Sequence, residues 1–415
     1  MIVKVLMLSH SDGVGGAGRA SYRLLQSLDA AGVDARMHVD FQNTSDPRVF
    51  RNSGPLKDVA RRLRITTEEI PAYLARFPEP RLFSPGIAHA INARRINASD
   101  ADVVNLQWVN FGYLSTRQIG RITKPLTWSM HDMWAFTGGM NYTDDSSEAR
   151  WRHDFEAPIP PEAESWWDVD RWVWKRKRRQ WQRPITLIAS SSWMAGLAAE
   201  SPLTREWPVS VIPNPVDVDT YRPDSQKAAR EQLGIPKDKK AIIAFFPRNL
   251  QDPRKGFDLF LQSLHHLGTD ASIHVAVAGH SGPPGGIRLP DISIHWLGYL
   301  DDESAIAAYR AADVVAVPSR QDNSPQTATE SLSCGTPVVA FDSTGLPDFV
   351  QHLETGYLAS AFDPQDFARG LALIANDPEL RDRMSQFARD RAVQQWSYTT
   401  VGQAHRDLFE SLRIH

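Results

Sequence analysis

Cysteine is almost absent from this chain of 415 residues, which contains only Cys334. A single cysteine forms no intrachain disulfide and supplies no cysteine cluster for a metal. The sequence also lacks any run of about 18 apolar residues, so it predicts no membrane-spanning helix. The apolar start, Met1–Leu8, is too short for a secretory signal peptide. We therefore expect a protein of the reducing cytoplasm.

An excess of charge of one sign is missing as well. The net charge is −3, whereas a protein that binds nucleic acid over its whole surface is usually basic. Hydrophobic residues make up 42% and charged residues 23% of the chain, as in ordinary globular proteins. At about 150 residues per domain, the length favours two or three domains. These features predict a globular protein of several domains with no nucleic-acid partner.

Short apolar segments alternate with helical patterns along most of the chain, which indicates βαβ units and parallel sheets. Residues 212–217, with two prolines, are typical of a linker. We predict an α/β protein of two Rossmann-like domains, whose strands end at a cleft between the domains where such folds bind ligands. The predicted strands are Val3–Ser9, Asp102–Leu106, Leu126–Met130, Thr186–Ala189, Ala241–Phe246, Ile273–Ala278, Ile294–Leu297, Val314–Val317 and Val338–Ala340.

The segment after the strand Val314–Val317 is the most informative part of the chain. Asp322 falls in the loop at the end of this strand, and Glu330 falls inside the next helix. Ser324 is suited to the N-cap of that helix and Pro325 to its first position. The unpaired N–H groups of a first helical turn attract phosphate. A diphosphate there, with a carboxylate on each side for hydroxyl groups, predicts a nucleotide-sugar site.

This segment resembles the acid-x7-acid signature of family 4 retaining glycosyltransferases, which have the GT-B fold. Pro318-Ser319, the run from Glu330 to Val339 and Gly345 match that signature. Most of the family has Glu where this chain has Asp322, which keeps the charge but shortens the side chain. The resemblance implies that Glu330 binds the ribose and that Asp322 binds a hydroxyl of the sugar. It further implies donor contacts at the helix start, from Asn323, Ser324, Gln326 and Thr327.

Two further segments of the second half resemble the same family. Arg248 and Lys255 stand in an Arg…Lys-Gly loop after a predicted strand, and Arg254 competes for the arginine role. The resemblance implies that this pair neutralises the leaving diphosphate. Tyr299 and Leu300, in the turn after Gly298, would hold the base with backbone groups.

The first half carries a glycine-rich loop and a histidine. Residues 13–18 match G-x-G-x-x-G and Asp40 follows at the spacing of the dinucleotide fingerprint. An NAD-dependent oxidoreductase is therefore an alternative, although residues 9–12 separate the predicted strand from the first glycine. The resemblance implies instead that Gly15 and Gly16 let the backbone approach the donor phosphate. It also implies that His131, at the end of a strand, lies near the transferred sugar or the acceptor.

The segment from about 140 to 183 departs from the βα alternation. Relatives with the same His-Asp-Met-Trp run continue with several cysteines, and Met140 stands where one is common, so we expect aromatic packing to hold this insertion. Its tryptophans alternate with the basic run 175–179, a composition typical of a membrane interface. Peripheral membrane contact and internal packing both stay open. The tryptophans concerned are Trp166, Trp167, Trp172, Trp174 and Trp181.

Taken with the resemblance, these motifs predict an acceptor-binding domain at 1–213, a nucleotide-sugar domain at 214–395, and a C-terminal helix at 396–415 that returns to the first domain. The predicted reaction is retaining transfer from a UDP- or GDP-linked sugar to a hydroxyl of a glycan or lipid-linked glycan, in surface polysaccharide synthesis. We expect no cofactor and no metal, and attribute the D-x-D triplets at 168–170 and 217–219 to chance. Because Asp322 replaces the usual Glu, a non-catalytic nucleotide-sugar binding protein is a second alternative.

Overall fold

The protein forms two compact units. The computed structural model describes residues 2–52, 54–76, 83–159, 165–246, 250–267, 272–283, 286–287 and 294–413. The first unit comprises Met1–Pro215 together with Val401–His415, and the second comprises Val216–Thr400. The end of the chain therefore belongs to the first unit.

The first unit is built on a parallel sheet with the strand order β3-β2-β1-β4-β5-β6-β7. Its strands are β1 (Lys4–Ser11), β2 (Asp34–Phe41), β3 (Val49–Arg51), β4 (Val103–Leu106), β5 (Leu126–Met130), β6 (Thr186–Ala189) and β7 (Val209–Val211). Its helices are α1 (Gly15–Ala30), α2 (Pro55–Leu74), α3 (Ala93–Asn97), α4 (Thr116–Ile119), α5 (Val169–Gln180) and α6 (Ser192–Glu200).

Strand β1 shows why this sheet is covered on both faces. Successive side chains of a strand point to opposite faces. Val5 and Met7 pack in one apolar cluster with α1 and with residues Val401 and Phe409 near the C-terminus. Leu6 and Leu8 pack in another cluster on the opposite face, which contains most of the buried tryptophans of the unit.

The second unit contains a parallel sheet with the strand order β10-β9-β8-β11-β12-β13. Its strands are β8 (Lys240–Phe245), β9 (Ile273–Ala278), β10 (Ile294–Gly298), β11 (Val314–Val317), β12 (Val338–Phe341) and β13 (Gly356–Ala359). Its helices are α7 (Gln226–Leu233), α8 (Phe257–Leu267), α9 (Asp302–Ala311), α10 (Gln326–Ser333), α11 (Pro364–Asn376) and α12 (Pro378–Trp396), and α13 (Tyr398–Ser411) follows them and enters the first unit.

The predicted parallel α/β architecture is confirmed, and the differences lie in particular strands. The strands β2, β3, β7 and β13 were not predicted. Three of these are edge strands of three or four residues, and β2 alternates exposed and buried residues at its start instead of forming an apolar run. Strand β1 also ends at Ser11, two residues later than predicted, so the turn before the first glycine is tighter than the sequence indicated.

The insertion is held by aromatic packing, as predicted. Trp181 makes ring contacts with Trp128 and Trp134 at centroid distances of 5.5 and 6.0 Å. The Lys177 ammonium lies 3.7 Å from the Trp134 ring centre and donates hydrogen bonds to the carbonyl oxygens of Trp134 and Gly138. Trp174 and Trp181 are buried in the core, which favours internal packing for these two residues, while membrane contact of the insertion stays a prediction. Of the six tryptophans between residues 140 and 183, all of which the structure describes, Trp166 is the exposed one.

Candidate functional site

The second unit brings together two residues that the sequence singled out separately. Lys255 ends the 3₁₀ helix Pro253–Lys255, in the loop after β8, and Asp322 lies in the loop after β11. Because β8 and β11 are neighbours in a parallel sheet, these loops leave it at the same edge. Lys255 Nζ lies 2.6 Å from Asp322 Oδ2, and Ser319 Oγ lies 3.5 Å from the same oxygen.

Close backbone contacts fix these loops relative to each other. Gly256 has φ +65°, and a Cβ atom there would lie 1.9 Å from the carbonyl oxygen of Pro318. A Cβ atom at Gly345 would lie 2.0 Å from the carbonyl oxygen of Asn323, and its N–H donates to the Asp322 carbonyl at 3.0 Å. Glycine is thus required at both positions by lack of space. The contact between Lys255 and Asp322 is built on this rigid support.

Helix α10 begins one residue later than predicted. Pro325, not Ser324, is its N-cap, and a proline has no side-chain oxygen that could accept from the first turn. The N–H groups of Ala328 and Thr329 donate to the Pro325 carbonyl at 3.0 and 3.3 Å. The predicted donor residues Asn323, Ser324, Gln326 and Thr327 surround this helix start. A helix N-terminus beside a lysine is suited to an anion.

Glu330 lies further along α10 and is 5% exposed. Its Oε2 accepts a hydrogen bond from the Tyr309 hydroxyl at 2.8 Å. Tyr309 stacks on Phe245, the last residue of β8, with ring centres 4.4 Å apart. Burial, with the neighbouring Glu330, raises the pKa of Tyr309 well above its usual value. The tyrosine therefore stays a neutral donor that orients the carboxylate.

The other predicted donor residues of the second unit are Arg248, Tyr299 and Leu300. Arg248 lies outside the described residues, and its competitor Arg254 is engaged by Asp252, with Nη2 and Oδ2 2.7 Å apart. Tyr299 is 74% exposed and follows β10, an edge strand two positions away from β8. Leu300 packs partly against the core of the second unit.

In the first unit, His131 follows β5 and forms a hydrogen bond with Gln107. Its Nε2 lies 2.8 Å from Gln107 Oε1, and the same oxygen accepts from Ser21 of α1 at 3.2 Å. Burial lowers the pKa of His131 to about 4, so the imidazole is neutral at pH 7. Gln107 and Ser21 are polar residues that the sequence reasoning missed, although Gln107 could have been found as a polar residue directly after a predicted strand.

The glycine-rich loop connects β1 to α1. Ser11 Oγ accepts from the N–H groups of Gly13 and Val14 at 3.2 and 3.0 Å. Gly15 and Gly16 are the first two residues of α1. Asp40, the acid of the dinucleotide fingerprint, pairs with Arg64 at 2.5 Å.

The D-x-D triplets have structural roles. Asp168 caps α5 and pairs with Arg150, while Asp170 accepts from the Gly139 N–H at 2.5 Å. Asp217 accepts from the N–H and hydroxyl groups of Thr220 at 3.1 and 2.8 Å. Among the described residues, no group of three or more His, Cys, Asp or Glu side chains is arranged to hold a metal ion.

Comparison with known proteins assigns the chain to a family. The family model Glycosyltransferase Family 4 matches residues 14–220, and Glycosyl transferases group 1 matches residues 225–391. A D-inositol 3-phosphate glycosyltransferase of Saccharomonospora viridis is 36% identical over 214 residues, which are 47% of this chain and 48% of that protein. The chain thus spans about half the length of the curated relatives it matches.

Solved structures of similar fold cover the whole chain. Anabaena HepE in complex with UDP and glucose has a TM-score of 0.65 and 16% identity, and the match covers 99% of this chain and 100% of HepE. Sucrose-phosphate synthase of Thermosynechococcus elongatus has a TM-score of 0.64 and 18% identity, with 99% of each chain covered. The two family models together span most of the sequence, so this chain belongs to glycosyltransferase family 4 and has the GT-B fold.

Proposed function

We propose that this protein is a retaining glycosyltransferase. It transfers a sugar from a UDP- or GDP-linked donor to a hydroxyl of a glycan or lipid-linked glycan, in the cytoplasm, without a metal ion, for surface polysaccharide synthesis. The observation that carries the proposal is the contact between Lys255 and Asp322 beside the start of α10. A nucleotide sugar is bound by a cation and a helix N-terminus at its phosphates and by a carboxylate at its hydroxyl groups. All three groups lie close together here.

Each of these groups has a task in donor binding. The diphosphate lies against the first turn of α10, where Lys255, together with Arg248, neutralises it. Asp322, which contacts the ammonium of Lys255, accepts from a hydroxyl of the sugar. Glu330, oriented by Tyr309, accepts from the ribose hydroxyls.

The protein promotes the reaction by stabilising the leaving group, which is the nucleoside diphosphate. The bond between the anomeric carbon and the phosphate oxygen breaks, and the sugar passes through an oxocarbenium-like state. The acceptor oxygen bonds to the anomeric carbon on the same face, and its proton goes to the leaving phosphate. No side chain is assigned as the base, so phosphate stabilisation and positioning are the main contributions of the protein. The neutral His131 contributes a polar group near the sugar or the acceptor.

The similar proteins suggest which substrates to test first. HepE was crystallised with UDP and glucose and with UDP-glucose, which supports UDP ahead of GDP as the nucleotide. The curated relatives are named for D-inositol 3-phosphate, so this polyol phosphate is the first soluble acceptor to test.

A thermal-shift screen tests the proposal against its alternatives. UDP, GDP, their glucose and mannose conjugates and NAD are each added to the full-length protein. A ligand at 100 times its Kd stabilises by about 2.7 kcal/mol, so we expect a clear rise in Tm with a uridine or guanosine diphosphate and none with NAD. Stabilisation by NAD alone would instead support an oxidoreductase. Release of free sugar from the donor would exclude a protein that only binds it.

A further inference from the structure

Helix α5 of the first unit carries a buried lysine. Lys177 is 0% exposed, whereas Lys175, two residues earlier, is exposed. The ammonium group of Lys177 donates hydrogen bonds to three backbone carbonyl oxygens, which belong to Trp134, Thr137 and Gly138. An ammonium group has three N–H donors and no acceptor. The three carbonyl oxygens therefore use all the donors of this buried charge.

The environment of Lys177 fits the protonated form. Its Nζ lies 3.7 Å from the ring centre of Trp134 and 5.4 Å from that of Trp181, and an aromatic face attracts a cation. Burial lowers the pKa of Lys177, whereas the nearby carboxylates of Asp170 and Asp132 raise it. A neutral amine has only two N–H groups, so it would leave one carbonyl oxygen without a donor. The cage is thus built for an ammonium ion.

The same helix holds the same loop with a carboxylate. Asp170 Oδ1 accepts a hydrogen bond from the Gly139 N–H at 2.5 Å, and residues seven positions apart share one face of a helix. A Cβ atom at Gly138 would lie 2.1 Å from that oxygen, so the loop backbone approaches α5 closely. Helix α5 therefore presents a cation to carbonyl oxygens and an anion to an N–H group of residues 131–139, which we name the His131 loop.

The His131 loop begins with the histidine that the proposed function places near the sugar or the acceptor. The ring of His131 is held by Gln107, with Nε2 and Oε1 2.8 Å apart. The next residue, Asp132, accepts from the Trp134 N–H at 2.9 Å, and the carbonyl oxygen of Trp134 is one of those that Lys177 binds. The imidazole is thus positioned from the ring side by Gln107 and from the backbone side by α5.

We propose that Lys177 is a positioning residue for glycosyl transfer. Its ammonium group fixes the backbone of the His131 loop, and so places the imidazole of His131 for its contact with the sugar or the acceptor. Lys177 is buried, so it acts through the loop and not on the substrate. The inference rests on the proposed function. A misplacement of about 1 Å costs a reaction on the order of a hundredfold in rate, so loss of the carbonyl cage should be visible in turnover.

Lys177→Met tests the proposal in the full-length protein, because methionine fills much of the same volume and removes all three donors. Release of glucose from UDP-glucose is measured. We expect kcat to fall by about tenfold or more while KM changes by less than about twofold. UDP affinity, measured by calorimetry, should stay at the wild-type value, because the diphosphate is assigned to the second unit. Lys175→Met, at the exposed lysine of the same helix, is the matched control and should behave as the wild type.

Two further measurements separate positioning from a purely structural role. If Lys177 acts through His131, the double variant Lys177→Met with His131→Gln should have nearly the kcat of His131→Gln alone. The NMR signal of the His131 ring, identified by its absence in His131→Gln, should move in Lys177→Met and stay in place in Lys175→Met. Should Lys177→Met fail to fold, Asp170→Asn replaces it. That variant keeps an oxygen for the Gly139 N–H but removes the anion near Lys177, so it should shift the same signal and lower kcat by a smaller factor.

Three outcomes would overturn the proposal. Lys177→Met has a lower Tm but the kcat and the His131 signal of the wild type, or the double variant loses the product of the two single losses, or Asp170→Asn leaves both kcat and signal unchanged where it has to stand in. A wild type that neither binds UDP nor releases glucose would contradict the proposed function instead. The NMR comparison would then still decide whether Lys177 positions His131.

Discussion

At the scale of single residues, Asp322 is held by a lysine that is 67 positions away in the sequence. The side chain of Asp322 is shorter than the glutamate usual in the family, and the 2.6 Å contact with Lys255 Nζ shows that it still reaches the loop after β8. Asp322 is 8% exposed. A buried carboxylate needs such a partner, because an unpaired buried charge is strongly unfavourable.

Substitutions at Tyr309 and Glu330 separate the effect on protein stability from the effect on nucleotide binding. Tyr309→Phe removes the donor to a buried carboxylate, so the free energy of unfolding should fall by about 1–3 kcal/mol. Glu330→Gln keeps an oxygen that can accept from Tyr309, so it should unfold nearly as the wild type does, yet bind UDP more weakly. Urea unfolding and calorimetry measure the two effects. Tyr73→Phe, at an exposed tyrosine, should change stability by less than about 0.5 kcal/mol. Equal stability of Tyr309→Phe and the wild type would contradict this account.

Residues with a motif could be predicted, and residues without one could not. Asp322 and Lys255 stand in recognisable local patterns, and the sheet topology brings them together. Tyr309 lies in α9 without any pattern of its own, and its contact with Glu330 depends on how α9 packs against α10. The predicted roles of Glu330 and His131 in binding substrate stay predictions, since their observed partners are protein groups.

At the scale of elements, the loops after β8, β11 and β12 depend on glycines at contact points. Sequence patterns predicted most strands of both sheets, because buried parallel strands are short apolar runs. The patterns did not predict the edge strands β3, β7 and β13, because these strands are short. The patterns also placed the N-cap of α10 at Ser324, because the side chain of serine caps a helix better than that of proline. In the structure the N-cap is Pro325.

Gly256→Ala should disturb the site, whereas Gly234→Ala should not. Both glycines have positive φ, +65° and +68°, so each substitution costs about 1 kcal/mol in backbone strain. Only Gly256 has a backbone oxygen 1.9 Å from the added Cβ atom, whereas Gly234 has nothing within 4 Å. We expect Gly256→Ala to lower Tm further and to weaken UDP binding by moving Lys255. UDP affinity that is equal in the two variants would contradict the support assigned to this loop.

At the scale of the whole molecule, histidines with lowered pKa values link the stability of the first unit to pH. His10, His131 and His405 all belong to the first unit, and burial lowers the pKa of each to about 4. An unfolded histidine has a pKa near 6.5. The unfolded chain therefore binds more protons than the folded one between these values. Stability from these groups is fully present above about pH 6.5 and is lost as the pH falls toward about 4.

The first unit should consequently be sensitive to acid. Each of the three histidines contributes a loss on the order of 1 kcal/mol per pH unit in that window. His405→Leu, within the apolar cluster beside Phe409, should reduce the slope of unfolding free energy against pH. His265→Gln, at an exposed histidine of α8, should leave that slope unchanged. Urea titrations at about pH 7 and about pH 5 check both variants, and an unchanged slope in His405→Leu would be the contrary result.

The central claim is that the second unit binds a nucleoside diphosphate through Lys255, beside Asp322 and α10. Calorimetric titration of UDP and GDP into the wild type, Lys255→Ala and Lys227→Ala tests it most directly, since Lys227 is an exposed lysine of α7 in the same unit. Charge-assisted bonds contribute about 1.5–3 kcal/mol, so Lys255→Ala should weaken binding by about tenfold or more and Lys227→Ala should not. If the wild type binds neither nucleotide, or if Lys255→Ala binds as tightly as the wild type, the site is not where we place it.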